Sequence, residues 1–170
     1  MTIAVPVGSR AGTALREASR GAGTASAVRA LFVLLVCAAF TTGFLAIDAG
    51  AVSRAVSNAG ADLTRLLRGM AVLKALMAAC TSAVVLWRFG LPVRPVWFAA
   101  YALSGAAMWS GPGLIWGMAY VGTGALLLHG GLLASILLLW RDPAVGARLS
   151  TMVAARRALL RPDYAHGVEP

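Results

Sequence analysis

The sequence predicts an all-α integral membrane protein with four transmembrane helices and additional amphipathic interfacial helices. Three observations carry this. Residues 110–140, SGPGLIWGMAYVGTGALLLHGGLLASILLLW, hold no Asp, Glu, Lys or Arg, and a crossing needs only about 20 residues at 1.5 Å each. Two more apolar runs lie upstream, at 30–47 and 70–87. Charge is also confined: 12% of the 170 residues are charged, against about 25% in soluble domains, and none of them falls within 96–140. With a mean hydropathy of +0.79, the chain has far more apolar surface than one small core can bury.

A formal net charge of +9 invites a nucleic-acid reading, which the distribution excludes. Four Arg precede Leu31, Arg88 and Arg94 share one short loop, and five Arg lie from Arg141 to Arg161. This is the positive-inside bias of a membrane protein, with contact to anionic headgroups. No zinc-finger, RRM-like or basic-region pattern accompanies it. Cys37 and Cys80 lack CxxC or CxxCH spacing, so neither a metal site nor haem attachment is indicated.

Taken in order, residues 1–28 form a Gly/Ala/Ser/Thr-rich basic tail, disordered or partly helical, on the cytosolic side. The membrane domain spans 29–140, with crossings at about 30–47, 70–87, 96–110 and 116–140. A secretory signal peptide competes for the first run, because Ala49-Gly-Ala51 resembles a cleavage site. The long leader and long apolar run favour a retained helix. Ala39 and Gly43 make a small-xxx-small pair.

Residues 50–68 are amphipathic, with Val52, Val56, Ala59, Leu63, Leu66 and Met70 recurring at helical steps. They read either as an interfacial helix or as extra turns of the flanking crossings broken near Gly60. Lys74, one turn inside the second crossing, either snorkels or pairs with Asp48 or Asp62. Pro92 and Pro95 break the chain before the third crossing, Pro95 fitting a first helical turn.

Ser110-Gly-Pro-Gly113 reads as the reversal between the third and fourth crossings. Alternatively the third helix continues through Ile115 and turns nearer Gly122. Past Asp142-Pro143, residues 141–170 give a basic amphipathic helix and a tail. Arg148, Arg157 and Arg161 on its polar side are expected to contact lipid or a partner. Counting Lys and Arg, four, two and five lie on one side and three and none on the other. Both termini are therefore expected in the cytosol, in a bacterial inner membrane.

Chemistry is sparse. His129, within LLLHGGLL, is the one imidazole inside an apolar run. It is a candidate ligand for haem or chlorin, or a quinone contact, against the simpler role of a hydrogen bond across a helix interface. Ser104, Gly113, Gly117, Ala119, Thr123, Gly131 and Ser135 form further small-residue ridges, whose density points to a packed assembly. No Walker A, dinucleotide, HExxH or GxSxG motif occurs, so no enzymatic role is expected.

The leading expectation is a non-catalytic subunit or assembly factor of a larger inner-membrane complex, contacting lipids and other integral subunits and no nucleic acid. One alternative is a membrane anchor of an electron-transfer complex with His129 near the cofactor. The other is a small oligomeric transporter, which the lack of a buried charge or a clear inverted repeat disfavours.

Overall fold

The computed structural model describes residues 8–118 and 120–159, with side chains from Gly23 onward. These form five helices: α1 (Gly8–Leu45), α2 (Ala49–Arg88), α3 (Pro95–Trp116), α4 (Val121–Arg141) and α5 (Pro143–Leu159). Three carry segments long and apolar enough to cross a membrane: Gly23–Leu45, Ala49–Arg88 and Val121–Arg141.

The helix that falls short, α3, is the middle of the bundle and packs against α1, α2 and α4. Tyr101, Ser104, Gly105, Met108, Gly111 and Pro112 are buried along it. A helix surrounded by protein needs shape more than apolarity, which is why its Trp, Tyr, Ser, Gly and Pro content lowers its hydropathy.

Contacts fix which helix ends lie together. Phe32 of α1 meets Phe89 just past α2, and Phe89 meets Tyr101 of α3. Val28, Trp97, Leu138 and Leu139 pack around this cluster. The start of the apolar segment of α1 (Gly23–Leu45), the ends of α2 and α4 and the starts of α3 and α5 therefore share one end, which carries Arg29, Arg88, Arg94, Arg141 and Arg148. At the opposite end lie Ile47, Asp48, Arg68 and Trp116.

Several expectations are corrected. The tail before residue 29 is helical from Gly8: residues 8–45 contain no Pro, and abundant Ala favours continuing the helix. Ser110-Gly-Pro-Gly113 is not the reversal; the alternative holds, α3 continuing through Ile115 and ending at Trp116. Its glycines serve close approach instead. A Cβ on Gly111 would sit 2.5 Å from the Gly124 carbonyl oxygen of α4, and one on Gly113 would sit 3.0 Å from the Phe44 nitrogen of α1.

The chain turns at 117–120. There Gly117 N–H donates to the Gly113 carbonyl, and Met118 takes a left-handed φ of 59°. That conformation usually falls to glycine, but here the methionine side chain is buried.

The amphipathic stripe of 50–68 does not stay on one face. α2 kinks at Gly60 (φ 76°, ψ 171°), a backbone region essentially reserved for glycine. Before the kink Val52, Val56 and Ala59 are half-buried, whereas beyond it Leu63, Leu66 and Met70 are exposed. Thr64 takes the inward position and donates to the Gly60 carbonyl at 2.7 Å.

Candidate functional site

The most constrained polar group lies at the Arg-rich end, between residues far apart in sequence. Asp142 links α4 to α5 as the C-cap of one and the cap of the other, because its Oδ1 accepts from Ala144 N–H at 3.0 Å. The Asp-Pro pair is well suited to this, with the carboxylate at the cap and Pro143 at a position needing no N–H donor.

The same carboxylate is held by Arg88 at the end of α2, Nε to Oδ2 at 2.5 Å and Nη2 to Oδ1 at 3.3 Å. Arg88 is 3% exposed and Asp142 2%. The remaining guanidinium nitrogen, Nη1, donates to the Leu91 and Pro92 carbonyls, and Tyr101 of α3 donates to Oδ2 at 3.4 Å.

α2, α3, α4 and α5 thus meet on one ion pair whose polar atoms are all engaged. A charge pair so completely hydrogen-bonded acts as a structural clamp. Two cations brace it: Arg29 Nε donates to the Leu86 carbonyl at 3.1 Å, and the Arg148 guanidinium lies 4.6 Å from the Trp87 ring centroid.

His129 is exposed on the outer face of α4. Its Nδ1 lies 2.7 Å from the Ala125 carbonyl oxygen of its own helix, so the expected bond across a helix interface is replaced by one within α4. If Nδ1 carries the proton donated to that carbonyl, the Nε2 lone pair is the free one. Gly130 beside it opens to empty space, whereas Gly131 faces α3, where a Cβ would lie 2.6 Å from Met108 N. The adjacent glycines therefore have different roles, and only Gly131 is needed for packing.

The remaining small residues divide similarly. Gly43 abuts the Ser110 backbone and Gly117 the Ile47 side chain, while Ser135 donates to Ser104 at 3.0 Å across α3 and α4. Ala39 is half-buried and Thr123 is exposed. Ala119 lies outside the described residues. Gly43, Ser104, Gly113, Gly117, Gly131 and Ser135 are thus used for packing within the chain and do not by themselves argue for an assembly.

Lys74 enters no ion pair among the described residues. Asp48 caps Ala51 N–H and lies 4.0 Å from Arg54, and Asp62 lies 3.8 Å from Arg65. Both acids are exposed, and each has an arginine within a few residues: Asp48 at the N-cap of α2 near Arg54, and Asp62 within α2 three positions from Arg65. Arg157 is exposed as expected for a surface contact, Arg161 lies outside the described residues, and Arg148 is committed to Trp87.

Sequence reasoning missed the Arg88–Asp142 clamp because it took Asp142 as a tail charge. The available signal was the Asp-Pro cap, placed by the topology at the same end as Arg88. No family model, curated protein or solved structure matches this chain.

Proposed function

We propose that the chain is a four-crossing, non-catalytic subunit or assembly factor of a larger complex in a bacterial inner membrane, with both termini cytosolic. α3 serves as the fourth crossing. Its 22 residues span about 33 Å, enough for the hydrocarbon, and α1, α2 and α4 cover most of it while Val96 and Leu103 stay exposed. The Arg-rich end faces the cytosol by the positive-inside rule.

One observation carries the scaffolding role. α5 is rooted on the clamp through Asp142, yet Leu149, Met152, Val153 and Leu159 stand exposed along it, Leu159 at 87%. A helix held firmly at its base with its apolar side chains uncovered is suited to lie against a partner subunit at the membrane surface. Purification in mild detergent followed by mass spectrometry tests this. Stable partners are expected with the full chain, and they should be lost on truncation after Pro143. A clean monomer would refute the subunit reading, and cysteines in the two tails labelling from opposite sides would refute the topology.

A second reading has its own support: His129 as a cofactor contact in an electron-transfer complex. An imidazole whose Nδ1–H is held by a carbonyl presents Nε2 outward, as in metal-ligating histidines. Gly130 leaves room beside it. An absorption band lost in His129→Ala would support ligation, and its absence or persistence would exclude it.

A further inference from the structure

Both α1 and α2 rest on α3, and between them runs a lateral groove floored by Trp109, Pro112 and Trp116. Three neighbouring hollows of about 420, 350 and 360 Å³ lie along it. Phe40 lines the first two, and Phe44 and Trp116 line the last two. The polar groups along it are already bonded within the protein: Ser82 accepts from Trp109 Nε1, and Thr41 donates to the Cys37 carbonyl. What remains is an apolar channel with Ala75, Ala79 and Ala83 on the α2 side.

The first hollow, from Phe32 to Thr41, is about 14 Å long at 1.5 Å per residue. At about 420 Å³ this hollow is elongated and apolar, which suits a hydrocarbon chain.

One end of the groove is charged. Arg68 lines it beside Trp116, its guanidinium carbon 5.4 Å from the ring centroid, and its Nε is buried without a hydrogen-bond partner among the described residues. The acids at this end are taken, Asp48 by Arg54 and Asp62 by Arg65. Arg68 stands twenty residues before Arg88 on the unkinked part of α2, or about 30 Å, one hydrocarbon thickness. With Arg88 at one interface, Arg68 sits at headgroup level in the opposite leaflet. Arg68 enters no ion pair among the described residues, and a phosphate oxygen supplies its guanidinium with a charge-assisted bond.

We propose that this groove is a binding site for a single anionic phospholipid, one acyl chain lying between α1 and α2 and the phosphate held by Arg68. The inference needs only membrane embedding and is independent of the subunit role above.

Native mass spectrometry of the detergent-solubilised full chain, offered equal amounts of phosphatidylglycerol and of diacylglycerol with the same acyl chains and no phosphate, tests it. The expected result is one phosphatidylglycerol retained about tenfold over diacylglycerol, the worth of one charge-assisted hydrogen bond. Arg68→Gln should level the two lipids, Arg68→Lys should keep the preference, and Ala75→Phe should lower retention of both. Thermal melts establish that each variant folds, and the Lys and Phe variants keep the test decisive should Arg68→Gln not fold. Equal retention by the native chain, or a preference surviving Arg68→Gln, overturns the proposal. So does loss of a co-purifying protein in Ala75→Phe with lipid retention unchanged. If excess inorganic phosphate abolishes the preference while Ala75→Phe changes nothing, the site takes an anion without a chain and the lipid assignment falls.

Discussion

Breaking the Arg88–Asp142 clamp from either side should be among the most damaging single changes available to this protein. Two opposite charges about 4 Å apart at an effective dielectric of 20 attract by about 4 kcal/mol. Here the pair is almost wholly removed from solvent, at 3% and 2% exposure. Arg88→Met strands a buried carboxylate whose remaining donors are Tyr101 and Ala144 N–H. Asp142→Asn keeps the cap on α5 but leaves the guanidinium facing a neutral amide. Each single change should cost about 3–5 kcal/mol, the usual penalty for an uncompensated buried charge.

The double variant Arg88→Met/Asp142→Asn should cost no more than either single one, because the charges leave together while the cap and the apolar stem remain. Unfolding in mixed micelles, followed by far-ultraviolet circular dichroism, gives the free energies. The cycle should return a coupling on the order of 3 kcal/mol. Additive losses, or single losses below about 1 kcal/mol, would mean that solvent screens the pair as it does surface bridges, and the clamp reasoning would be wrong.

Gly131→Val should destabilise the bundle by about 2 kcal/mol or more, since its Cβ would fall 2.6 Å from Met108 N and from the Ser104 carbonyl oxygen. The adjacent Gly130→Val should change stability by less than about 1 kcal/mol, and equal effects in the same unfolding assay would contradict the assigned faces. His129→Ala should leave stability within about 1 kcal/mol of the native chain, because the ring is exposed and bonds only within α4; a large loss would mean it holds two helices together. Gly60→Ala is incompatible with φ 76° and should cost about 1–3 kcal/mol or straighten α2. Spin labels at positions 53 and 83 would then separate toward the roughly 45 Å of a straight helix, and an unchanged distance would argue that the kink does not depend on glycine.

Much of the architecture was legible because lipid imposes a simple rule: an exposed transmembrane surface must be apolar. The runs at 30–47 and 70–87 and the long stretch ending at Trp140 follow from that rule, and so does the placement of Arg at one end. The interior of the bundle obeys a different rule. Gly111 and Gly113 have the local chemistry of a turn, and only the arrival of α1 and α4 shows that they are contact points inside a continuous helix. Asp142 has the local chemistry of a cap, which it is, but its pairing with Arg88 spans fifty-four positions and exists only after α2, α3 and α4 have packed.

What the chain dictated alone was helical character, apolar surface and the sorting of charge, because each depends on a residue and its near neighbours. Tertiary structure decided where α3 ends, which glycines are tight, that His129 faces outward and that Arg68 is left without an acceptor. Those depend on which helices touch, and contact between distant segments is set by the shapes they present once folded, not by local composition.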